Sequence, residues 1–286
     1  MVSFIDCHLS LRRCSPFNGG KFEGWGTSFC WWPNRIGYLD ELSEQAAKLF
    51  FDPKEGLGLN IIRYNIGGGD DPTHHHITRT DSMVPGYAIN PSHDANGYHW
   101  SYDWNADQNQ RNVLMKVAEC YGKDLIVEGF SNSPPYFMTN SGCSSGSVNA
   151  GENNLREDAY GAFASYLADV AQHFSKEWGI HFQSMTAMNE PDTEYWHALS
   201  DKQEGCHFDP GESQSVMIIA LREALDERGL NDILISGTDE TGIDCQINSI
   251  NSLSEVARET IARIDTHSYL EGDNEGLRKL AQSYYK

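Results

Sequence analysis

Short apolar and β-branched runs alternate with amphipathic stretches along this chain, the pattern of βα units wound around a parallel sheet. Phe22–Gly26 reads as a first strand and Leu39–Phe51 as the helix after it. Leu59–Ile66 is the second strand; an irregular segment from Gly67 to Tyr102 follows it, then the helix Asn105–Tyr121. Leu125–Phe130 is the third strand, and a loop rich in Ser, Gly and Asn runs on to Asn154. Leu155–Trp178 carries the strongest helical period, with Ala159, Phe163, Tyr166, Leu167, Val170 and Phe174 on one face. Strand Phe182–Met188, helix Ser213–Arg228, strand Ile233–Ser236, a helix near Ser252–Ile261, strand Arg263–Ser268 and helix Asn274–Tyr285 complete the pass. The predicted fold class is therefore α/β: an incomplete (β/α)8 TIM barrel with about six βα units. An open six-stranded α/β sheet is the competing architecture.

The length of 286 residues suits one such domain, and nothing in the pattern marks an internal repeat. Two more βα units would be needed to close the barrel, which suggests a truncated chain.

Charge narrows the choice of partner. With 41 acidic against 21 basic side chains the net charge is -20, and no Lys/Arg-rich run interrupts it. Such a surface repels nucleic acid and anionic lipid, leaving neutral partners, of which a polysaccharide or oligosaccharide is the obvious one. No apolar run approaches the ~20 residues of a membrane span. The seven cysteines form no CxxC pair, which argues against zinc-ribbon and thioredoxin readings; whether Cys143 and Cys206 pair is not set by their spacing. The first residues lack the basic and apolar regions of a secretory leader, so compartment stays open, as does oligomeric state.

In a barrel of this kind chemistry sits at the C-terminal strand ends. Those positions here carry Trp25-Gly26-Thr27-Ser28, Arg63 with Gly67-Gly68-Gly69, Ser131-Asn132-Ser133-Pro134-Pro135, Asn189-Glu190-Pro191, Thr238-Asp239-Glu240 and His267-Ser268-Tyr269. The sharpest is Asn189-Glu190-Pro191. A carboxyl at a strand end, among aromatics and near a second carboxylate, can protonate a leaving glycosidic oxygen. The Asn before it can hydrogen-bond a sugar 2-hydroxyl, a contact that strengthens in the oxocarbenium-like transition state.

Phe22–Ser28, Asn60–Gly69, Ser131–Pro135 and Asn189–Pro191, in this order, resemble glycoside hydrolase family 30, and within it the endo-β-1,6-galactanase type, over residues 20 to 286. The resemblance implies a (β/α)8 barrel with an attached β-sandwich, retaining hydrolysis, a secreted protein and no cofactor. It makes Glu190 the acid/base, Asn189 its 2-hydroxyl-binding neighbour and Arg63 the arginine that keeps the nucleophile ionised. Trp25, Asn132, His267 and Tyr269 then line the subsite before the scissile bond. The family's nucleophile is a Glu on the seventh strand, which places it beyond residue 286; Glu240 is the best internal substitute, and otherwise a substrate-contact or structural residue. Residues 1–20 fall outside the likeness. Related hydrolases of β-1,6-glucan, xylan or glucosylceramide, and a carbohydrate-binding or inactive remnant, are the competing functions.

Plainer roles compete at several positions. Arg63 could pair with a structural acid. The triple glycine is no phosphate loop, since no GK[ST] or helix follows, and a tight turn with close backbone approach explains it. His74-His75-His76 suggests a metal, but consecutive side chains diverge, so no metal is expected. Trp25 and Trp196 are the tryptophans expected to stack on sugar.

Overall fold

The computed structural model describes residues 22–284; the segment 1–20 lies outside them. Within that range six strands form one parallel sheet in the order β1 (Gly26–Ser28), β2 (Ile61–Asn65), β5 (Ile126–Phe130), β6 (Ser184–Thr186), β7 (Leu234–Gly242) and β8 (Ile261–Leu270). The intervening β3 (Ala88–Asp94) and β4 (Gly97–Tyr102) pair with each other as an antiparallel hairpin. The helices are α1 (Trp32–Ile36), α2 (Asp40–Phe51), α3 (Gln108–Tyr121), α4 (Tyr160–Glu177), α5 (Glu212–Glu227), α6 (Ile243–Ser252), α7 (Glu255–Thr260) and α8 (Asn274–Tyr284). None is long and apolar enough to cross a membrane.

The sheet curls, as a β/α barrel requires. Arg263 on β8 reaches Glu23, just before β1, at 2.9 Å, and residues from both of these outer strands line one cavity. Alternation along β2 shows how the layers are sorted. Ile62 and Tyr64 are fully buried against the helices, where Tyr64 meets Phe174 of α4 edge-on, while Arg63 faces the interior of the curl. The apolar stripe of α4 is buried at every expected position, from Phe163 to Phe174, and supplies much of the outer core.

β7 runs on to Gly242, past the expected Ile233–Ser236, and α1 was not expected; four further elements differ from expectation. The first strand begins at Gly26, because the Asn60 side chain replaces the ladder before it: Asn60 Nδ2 donates to Glu23 O at 2.8 Å and Trp25 N donates to Asn60 Oδ1 at 3.1 Å. The fourth strand stops at Thr186, and the main chain rejoins β7 where Glu190 N donates to Asp239 O at 2.8 Å. The irregular 67–102 segment contains the β3–β4 hairpin, turned at Ala95-Asn96, with Gly97 at φ +109° opening β4 opposite Asp94. The helix placed near Ser252–Ile261 is instead α6 and α7, divided at Leu253, with Ser254 accepting from Ala257 N as the cap of α7.

The triple glycine does permit close approach. A Cβ on Gly68 would lie 2.5 Å from Pro134 O and 2.6 Å from Ser133 O, and Gly69 has φ +70°. Since both oxygens are backbone, nothing nearby can swing aside. Gly68→Ala is expected to cost about 2–3 kcal/mol, read as a lowered urea midpoint with unchanged slope. A loss below about 0.5 kcal/mol would show that the β2 and β5 loops are free to separate there.

Candidate active site

The C-terminal ends of all six parallel strands open into one cleft of about 1210 Å³, room for more than one sugar ring. Its lining includes Ser28, Cys30 and Trp31 after β1, Arg63 from β2, and Glu128 and Asn132 from β5 and its loop. Asn189, Glu190, Tyr195 and Trp196 follow β6; Asp239 comes from β7, and Asp265, His267 and Tyr269 from β8.

Glu190 is 7% exposed, and its carboxyl is held from two sides. Tyr195 donates its hydroxyl to Oε2, and His267 Nδ1 stands 3.3 Å from Oε1. The backbone is fixed as well, since the Glu190 carbonyl accepts from Trp196 Nε1 at 3.0 Å and from Thr193 Oγ1 at 2.8 Å. Its φ is +49°, the left-handed region that side-chain-bearing residues enter at a cost. The two bonds on its carbonyl, with Glu190 N donating to Asp239 O on the preceding peptide, hold it there.

Beneath Glu190 lies a charged floor. The Arg63 guanidinium sits 3.3 Å from the Phe130 ring centroid, donates to Asn189 Oδ1 at 2.9 Å, pairs with Asp239 and lies 3.6 Å from Glu128. Burial would raise Asp239, but Arg63 and then His267 outweigh it and hold the carboxyl below the usual carboxylate range. Glu128 goes the other way: burial, reinforced by Asp265, pushes it well up, and burial also raises Asp265. The floor thus holds Asp239 against Arg63, next to Glu128 and Asp265, whose carboxyls burial pushes up. Burial pushes the Cys30 thiol up to about 11, so it is neutral and no thiolate nucleophile.

Arg63, Asn132, Asn189, Glu190, Trp196, His267 and Tyr269 converge on the cleft as the strand-end reading placed them. Two residues do not. Trp25 precedes β1, is 69% exposed and stacks edge-on with Phe22 at the opposite end of the strand; Trp31 is the β1-side tryptophan in the cleft. Glu240 is fully buried away from the cleft, where Ser249 Oγ (2.6 Å), Gln214 Nε2 (2.9 Å) and Asp192 N (3.0 Å) donate to it. Burial pushes Glu240 up to about 7 despite these donors. It braces the Asp192 loop behind the acid and cannot attack a substrate. Asp239, one residue earlier on β7, faces inward instead, and period-two alternation explains the exchange. Tyr195, Glu128 and Asp265 are among the cleft residues the sequence reading did not single out; Asp239 lay within its strand-end motifs, and Trp31 stood among the residues it placed after the first strand.

The histidine run also differs from expectation. Asp70 contacts both His74 and His76, with Cys143 beside them, so a carboxylate does converge on two of the three. Cys143 and Cys206 are both free thiols.

Comparison with known proteins agrees with this geometry. An endo-beta-1,6-galactanase of Hypocrea rufa is 37% identical over 274 residues, covering 89% of this chain and 54% of that protein. An exo-beta-1,6-galactobiohydrolase of Bifidobacterium longum subsp. longum is 26% identical over 364 residues, covering 94% and 23%. This chain therefore spans about half the length of the first relative and less of the second. The catalytic domain of GH30 xylanase C from Talaromyces cellulolyticus has the same fold, with a TM-score of 0.64 at 21% identity over 86% of this chain and 52% of that one. The profile of O-glycosyl hydrolase family 30 matches residues 21–254. Built on that family's parallel barrel sheet and matched by its profile over most of its length, the chain belongs to O-glycosyl hydrolase family 30.

Proposed function

We propose that the protein hydrolyses β-1,6-linked galactan with retention of configuration, Glu190 serving as acid/base. The observation that carries this reading is the placement of Glu190: its carboxyl stands at a strand end on the cleft wall, with the Tyr195 hydroxyl donating to Oε2 and His267 Nδ1 3.3 Å from Oε1. Glu190 protonates the departing glycosidic oxygen, and its carboxylate then takes a proton from the water that releases the sugar.

The Arg63 bond holds Asn189 with its carboxamide oxygen turned inward, which leaves its nitrogen to donate to a sugar hydroxyl. Asn132 Nδ2 is buried on the cleft lining without a partner among the described residues, a second donor suited to a ligand. Trp31, Tyr269 and the Trp196 edge offer aromatic surface to C–H faces of the sugar.

The attacking carboxylate is assigned to the seventh strand of the family's barrel, outside the six strands described; burial raises Glu128 and Asp265 and so disfavours the ionised form that attack needs. Galactan is favoured over other β-glycans because both curated relatives carry β-1,6-galactan activities in their names. Assaying the full-length protein on β-1,6-galactan, β-1,6-glucan and xylan side by side tests the substrate, and proton NMR of the first product tests stereochemistry. Galactan hydrolysis releasing the β-anomer is expected. Activity confined to another polymer overturns the substrate, and α-anomer first overturns the mechanism.

A further inference from the structure

Behind the cleft wall, the loops after β2, β5 and β6 meet around a second cavity of about 320 Å³. Asp70, His74 and His76 come from the first loop and Cys143 from the second, and one ligand-type atom of each lies within 4.8 Å of the others. His74 Nδ1 is 3.3 Å from Asp70 Oδ1, His76 Nε2 is 2.6 Å from Asp70 Oδ2, and Cys143 Sγ is 3.3 Å from His76 Nε2. His75 is exposed, so the two outer histidines of the run converge while the middle one leaves.

An inventory of protons shows what this cluster lacks. His76 Nδ1 lies 2.6 Å from the Ser200 carbonyl oxygen, which can only accept, so Nδ1 carries the ring proton. In neutral histidine Nε2 is then a lone pair, and it faces a carboxylate oxygen and a sulfur. The sulfur is approached by Leu199 N–H at 3.3 Å and Ser145 Oγ at 3.2 Å, and Asp70 Oδ1 accepts Ser144 N–H at 3.1 Å. Outside contacts thus turn Asp70, His76 and Cys143 toward one another, while His74 Nδ1 faces the other Asp70 oxygen. Protons on His74 Nδ1, His76 Nε2 and the Cys143 thiol would meet these contacts pair by pair; one cation meets all four together. Independently, Glu204 lines the same cavity, 2% exposed, with Oε2 buried and unpartnered among the described residues.

The geometry points to a divalent transition-metal site with Asp70, His74, His76 and Cys143 as ligands. Thiolate, imidazole and carboxylate together suit zinc, whose bonds of about 2.0–2.3 Å hold tetrahedral ligand atoms roughly 3.3–3.8 Å apart. The Ser200 carbonyl and Ser144 N–H are the outer contacts that orient His76 and Asp70. The ion's role is structural. It fastens two loops directly and, through the Ser200 carbonyl on His76, reaches a third that carries His197, Ser200 and Lys202 of the cleft.

The test strips the full-length protein with a chelator, dialyses it against zinc and measures bound metal. About one zinc per chain is expected, with a melting temperature that falls on stripping and recovers on zinc addition. Cobalt should give a thiolate charge-transfer band that Cys143→Ser removes; His75→Ala should keep both band and zinc. Protein that remains folded by circular dichroism yet binds no more zinc than the His74→Ala/His76→Ala/Cys143→Ser variant overturns the proposal. So does a cobalt band that survives in Cys143→Ser.

Discussion

Glu190→Gln is expected to lower kcat on polysaccharide by about 10²–10⁴-fold while leaving the fold intact. Glutamine keeps an acceptor for Tyr195 and the same backbone anchors, so stability should move by less than about 1 kcal/mol. What disappears is the proton for the leaving oxygen. An aryl β-glycoside whose phenol leaves unaided needs no such proton, so its glycosylation step should slow far less. The informative measurement is therefore the pair of rates on the two substrates in the full-length protein. Equal losses on both would mean that the variant damages binding or geometry, and undiminished polysaccharide hydrolysis would remove Glu190 from the chemistry.

The second large effect concerns Arg63. Arg63→Met removes the counter-charge of a buried carboxylate and is expected to cost about 3–5 kcal/mol, along with nearly all activity. In the native protein Asp239 has a depressed folded pKa, so its stabilisation is present above the unfolded value of about 3.9 and is lost as pH falls through the lower folded value. Without Arg63, burial is opposed chiefly by His267, and the folded pKa rises above the unfolded one. The sign then reverses: the variant is favoured at low pH and loses stability as pH rises. The gap in urea midpoint between native protein and variant should accordingly be narrow near about pH 4 and wide near neutrality. A gap that does not change with pH would deny the Arg63–Asp239 pairing its electrostatic role. Arg63→Lys restores charge without the planar fork that reaches Asn189 and Asp239 together, so it should recover stability in part and activity little.

The strands were legible wherever burial on the outer face leaves a strong apolar signature, as in Ile61–Asn65 and Ile126–Phe130, and α4 announced itself by its buried stripe. Strand-end motifs then carried most of the cleft, because a β/α barrel gathers those ends whatever the loops do. Side-chain direction was less readable. Asp239 and Glu240 are adjacent acids, and which of them faces the cleft depends on register, which β7 shifts between Thr238 and Glu240. Trp25 was misplaced for a related reason: Asn60 delays the first strand by four residues, which moves the tryptophan to the wrong end. The β3–β4 hairpin hid behind Pro91 and a short alternation, although Asn96-Gly97 was a readable turn signal. Only the approach of Cys143 to Asp70, His74 and His76 is long-range and has no counterpart in local spacing.

The left-handed backbone at Glu190 sets two selections against each other. Glycine or asparagine would adopt φ +49° more readily than glutamate, so a screen that rewards only thermal tolerance will drift toward those residues at this position. Aspartate offers a compromise of the wrong kind, easing the main chain while drawing the acid back by one methylene from Tyr195 and His267. A library meant to harden this protein should leave codon 190 untouched and spend its diversity elsewhere.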